Sequence, residues 1–111
     1  MHIFSWLARF RAGQRLAQIA DRVAARSQTP VWRRVHVQAC RMSHAEAYGY
    51  VRARAAKIVQ REVNIAVAGS PPLGPAERAT VVAAATQKVV RRTLADVTRA
   101  KKQHVSLQRA A

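Results

Sequence analysis

The chain has 111 residues, 20 Lys and Arg against 5 Asp and Glu, and a formal charge of +15. This length fits one domain with one modest core, and a hydrophobic fraction of 50% excludes a fully disordered chain. No apolar run approaches the roughly 20 residues that cross a bilayer, and with Cys40 alone there is no internal disulfide.

Cys40 fits a reducing compartment, and its ordinary reading is a small buried hydrophobe in a cytoplasmic protein. Twenty-three residues are Ala and only 5% are aromatic. The core is therefore expected from Val, Ile and Leu on helices that Ala lets come close together.

Residues 3–27 read as an N-terminal amphipathic basic helix. Ile3, Leu7 and Phe10 share one face, with Phe4 and Trp6 beside it, and Leu16, Ile19, Ala20 and Val23 share another. The two faces do not align, so a kink is expected near Gly13. No acid precedes Asp21, whereas Arg9, Arg11 and Arg15 do, and these arginines interrupt any secretory h-region. The composition is that of an ordinary first helix of a basic protein, and it is shared by organellar targeting segments and interfacial helices.

Pro30 biases Thr29 away from helix and closes this first unit at about residue 30. Residues 31–43 are ambiguous. Val35, Val37 and Ala39 alternate as in a strand, yet Trp32, Val35, Ala39 and Met42 make a helical face. No second strand-like run exists to pair with, so a helix or an extended linker is expected.

Ser43 and Glu46 form a capping box that starts a helix at about His44. That helix is expected to reach residue 68, with Gly69 as its C-cap and 70–74 as a Pro-rich turn. Pro75 suits the first position of the last helix, 75–103, with Glu77 in its first turn. Residues 105–111 are expected to fray. The fold class is thus all-α: three helices, with 44–104 as a long helical hairpin.

The charge is patterned on these helices. Tyr50, Arg54, Lys57 and Arg61 are spaced four, three and four, a single stripe opposite an apolar side of Tyr48, Val51, Ala55, Ile58, Val59, Ile65 and Ala66. On the last helix, Lys88, Arg91, Arg92, Arg99 and Lys102 stand opposite Ala79, Val82, Ala83, Thr86, Val89, Val90, Leu94, Val97 and Ala100. An ordinary surface mixes both signs; the scarcity of acids here predicts a polyanionic partner. Sixteen of the 20 cations are Arg, whose guanidinium grips phosphate in a fork. A GC-rich genome would enrich Arg and Ala together, but it would not remove Asp and Glu.

Enzyme chemistry has no visible seat. His36 and Cys40, four apart, are the nearest approach to metal-ligand spacing among His2, His36, His44, His104 and Cys40, and two ligands do not make a zinc site. No phosphate-loop, dinucleotide, zinc-protease or nucleophile-elbow motif occurs. Glu62 falls on the apolar face between Ile58 and Ile65, where a carboxylate requires a cationic partner, and a structural ion pair is expected there.

The expected function is a small, non-enzymatic helical protein, with no cofactor or metal, that binds DNA or RNA mainly through phosphates. Tyr50, Arg54, Lys57, Arg61, Lys88, Arg91, Arg92, Arg99 and Lys102 would make the contacts. The alternative is an assembly subunit whose basic faces meet an acidic protein partner or a larger complex. Peripheral attachment to an anionic membrane ranks third. Ile3, Phe4, Trp6, Leu7 and Phe10 form the expected interface for self-association as a homo-oligomer.

Overall fold

The computed structural model describes residues 2–68 and 72–110, with side chains from Ser5 onward. Three helices pack against one another: α1 (His2–Ala39), α2 (His44–Ala66) and α3 (Pro75–Ala110), with no strand among the described residues.

Each helix brings a row of small or β-branched residues, spaced by four, to the common core. In α1 the row is Val23, Ser27, Val31, Val35 and Ala39; in α2 it is Ala47, Val51, Ala55, Val59 and Val63; in α3 it is Val81, Ala85, Val89, Thr93 and Val97. Every one of these positions is 3% exposed or less. Rows at a spacing of four are one of the natural ridges of a helix surface, and small residues on them let backbones approach. Leu73 closes the end of the core near the α2–α3 connection.

These rows explain why α1 runs past Pro30. The sequence places a boundary there and leaves 31–43 undecided, whereas α1 continues to Ala39 with Pro30 inside it. A proline in a helix interior costs about 3 kcal/mol through the lost N–H and the ring clash. Burying Val31, Val35 and Ala39 in register with Val23 offsets that, at roughly 1.5–3 kcal/mol for each fully buried aliphatic side chain larger than Ala. The strand-like alternation dissolves, because Val37 points outward, half exposed.

The helix ends are chemically marked. Glu46 N–H donates to Ser43 Oγ at 3.2 Å and Ser43 N–H to Glu46 Oε1 at 3.4 Å, the expected capping box. Pro75 is the first residue of α3, and Gly74 N–H donates to Glu77 Oε1 at 3.1 Å. Val67 is the C-cap of α2, before Gly69, which lies outside the described residues. Lys101 Nζ donates to Met42 O at 2.5 Å and so satisfies a carbonyl of the α1–α2 turn.

The tail expected to fray is helical to Ala110. Residues 103–110 contain neither Gly nor Pro, and Gln108 reaches His104 at 3.1 Å one turn back. Two overhangs result. Between Ser5 and Arg15 in α1, and beyond Lys101 in α3, no side chain is buried. Asp21 meets Lys88, Gln28 meets Thr93 and Met42 meets Lys101, so α1 and α3 run parallel and the overhangs leave opposite ends. The molecule is accordingly long, 68 × 26 × 21 Å.

Candidate functional site

An uninterrupted α1 creates a feature that a break at Pro30 conceals. Arg11, Arg15, Arg22, Arg26 and Arg33 are spaced four, seven, four and seven, which keeps them on one side of a helix. All five are exposed. At 1.5 Å per residue the row is about 33 Å long.

α2 flanks only the C-terminal part of this row, and Arg11 and Arg15 stand on the overhang beyond the end of α2. α2 runs antiparallel to α1, and Arg26 Nε stands 3.5 Å from Glu62 Oε2 across the two helices. Eight residues along, Arg34 of α1 joins Arg54 and Lys57 of α2 around a groove of about 240 Å³ that Ala53 and Ile58 also line. Arg61 follows Lys57 by one turn and is exposed. The α1/α2 face thus gathers cations from two helices.

Two acids touch this face. Glu62 is only 14% exposed and faces Arg26, which is 57% exposed. Glu46, at the far end, is held by the Ser43 N–H. Glu46 keeps its full charge, but Arg26, Arg34, Arg54, Lys57 and Arg61 outnumber the two carboxylates, so the potential of the face is positive.

Tyr50 departs from the sequence reading. It is half-buried against the core, and the Arg54 guanidinium carbon sits 3.6 Å from its ring centroid. Arg54 Nη1 also donates to Tyr50 O at 3.3 Å. The ring face under Arg54 is therefore closed to a stacking base, and Tyr50 acts as a platform for Arg54.

The α3 cations belong elsewhere. Lys88 pairs with Asp21, and Arg92 and Arg99 line the α1/α3 side, where Arg99 Nη1 lies 3.4 Å from Asp96 Oδ1. Arg91 borders the α2/α3 groove, and Lys102 stands on the C-terminal overhang. The nine sequence-predicted residues thus divide between different sides of the bundle. Arg26 and Arg34, not predicted from sequence, join the α2 stripe, and Arg22 and Arg33 are exposed on the same helix.

Of the expected self-association residues, Trp6 and Phe10 are 63% and 53% exposed and stack on each other at 5.7 Å, while Leu7 is half-buried. The side chains of Ile3 and Phe4 lie outside the described residues. Cys40 is half-buried against the core. No three His, Cys, Asp or Glu side chains converge among the described residues, and no described helix is long and apolar enough to cross a membrane. Compared with protein families, curated proteins and solved structures, the chain finds no match.

Proposed function

We propose that this protein is a non-enzymatic nucleic-acid-binding protein that holds DNA or RNA by its phosphates along the α1/α2 face. One observation carries the reading: Arg26 and Arg34 of α1 stand beside α2 where Arg54 and Lys57 lie, and the two acids near them, Glu62 and Glu46, are each bonded within the protein. The exposed arginines of α1 extend this cluster over about 33 Å, a length along which a duplex, with one charge per about 1.7 Å of axis, presents many phosphates. Recognition by such a face is electrostatic and weakly dependent on sequence, because contacts to phosphates carry no sequence information directly.

The test is titration of fluorescent duplex DNA and single-stranded RNA by anisotropy across a salt series. With about four to six phosphates neutralised on duplex, log K falls against log salt with a slope of about −4 to −5. The double variant Arg34→Glu/Lys57→Glu is expected to weaken binding at least tenfold and flatten the slope by about two. Reversal of Arg92 and Arg99 on the α1/α3 side is expected to change affinity less than threefold. A salt-independent Kd, or equal loss from both double variants, rejects the proposal.

A further inference from the structure

The α2/α3 side carries a second, different feature. A groove of about 500 Å³ runs between these helices, away from the arginine row. Its floor is Thr86, Val90 and Leu94, and small residues, Ala83 and Ala95, leave it open. From Ala83 to Thr98 it follows α3 for about 22 Å, four helical turns. Thr86 Oγ1 is enclosed and has no hydrogen-bond partner. Tyr48, assigned from sequence to the buried side, instead stands 46% exposed on the groove wall.

The walls carry Arg52 and Arg91, one on each side, with His44 at one end and no acid among the lining residues. An open apolar channel of this length, flanked by cations, has the dimensions and polarity of a seat for an amphipathic helix with an acidic border. Charge excludes this chain's own overhangs as the occupant. Residues 5–15 carry Arg9, Arg11 and Arg15, residues 102–110 carry Lys102 and Arg109, and neither segment contains an acid. A second copy would bring cations against Arg52 and Arg91.

We infer that the α2/α3 groove receives a fourth helix from a different, acidic protein. The apolar side of that helix rests on Val90 and Leu94, and its carboxylates face Arg52 on one side and Arg91 on the other. Seating it there would complete a four-helix bundle at ordinary interaxial spacing.

The probe is a synthetic 15-residue peptide with a Leu spine at helical spacing and Glu on both flanks, followed by NMR amide shifts on the full chain. A peptide of identical composition, scrambled to abolish the helical period, controls for attraction to a +15 protein. The patterned peptide is expected to bind one to one with shifts centred on Thr86, Val90 and Leu94, at least tenfold tighter than the scrambled one. Arg52→Glu with Arg91→Glu should weaken it at least tenfold, and Arg34→Glu with Lys57→Glu less than threefold. Circular dichroism on both double variants confirms retained helix. Equal binding of the two peptides, shifts mapping to the α1 row, or no binding at 100 µM peptide overturns the inference.

Discussion

Glu62 shows how one side chain serves two opposed demands. It is the least exposed member of its ion pair and faces a face otherwise dominated by cations. Its carboxylate offsets local repulsion around Arg26 and Arg61, and the same negative charge opposes a phosphate. Glu62→Gln is therefore expected to lower folding stability by about 0.5–1 kcal/mol, the upper range for a partly solvated pair. It should at the same time raise affinity for duplex DNA at low salt. Urea unfolding and anisotropy on one preparation check both signs; a variant that loses both stability and affinity would place Glu62 among the groups that shape the face. Arg54 is a parallel case, since its guanidinium is oriented by Tyr50 and would give up less side-chain freedom on meeting a phosphate.

Among the elements, the core rows decide the packing, and they are made of residues that hydrophobicity ranks low. Ala47, Ala55 and Ala85, with Ser27 and Thr93, are as buried as the valines they alternate with. Ala55→Leu should insert volume where helices meet closely and destabilise by about 1–3 kcal/mol, lowering the urea midpoint at unchanged m-value. An unchanged midpoint would mean that the row faces a void. The same chemistry governs what the sequence discloses. Capping side chains at Ser43 and Glu46 and the ring of Pro75 act locally, so both long helices of the hairpin are legible at their starts. The faces are less so, because projection by large aliphatic residues draws in Ile65 and Tyr48, both about half exposed, and passes over Ala47 and Ala85. Pro30 misleads for a related reason: its penalty is local and visible, whereas the burial of Val31 and Val35 that outweighs it exists only once three helices meet. Losing the continuity of α1 also conceals the arginine row, which needs Arg22, Arg26 and Arg33 on one unbroken helix.

For the whole molecule, the question is how a body with a charge of +15 stays folded. Three ion pairs, Arg26–Glu62, Lys88–Asp21 and Arg99–Asp96, fix three of the five acids among the described residues, and they are few beside 20 cations. Net electrostatics is therefore repulsive, and the elongated 68 × 26 × 21 Å form spreads the charge further than a sphere would. Screening should relieve repulsion between many cations more than it weakens three ion pairs, because the Debye length contracts from about 10 Å at 0.1 M salt to about 3 Å at 1 M. The melting temperature is accordingly expected to rise between 0.05 and 0.5 M sodium chloride. At the low-salt end a stoichiometric polyanion such as duplex DNA should raise it further, since binding to the folded state adds to screening. Scanning calorimetry across both series separates the two contributions. A melting temperature that falls with salt would mean that the ion pairs outweigh the repulsion. The cations would then be compensated within the fold, and the need for an external polyanion would disappear.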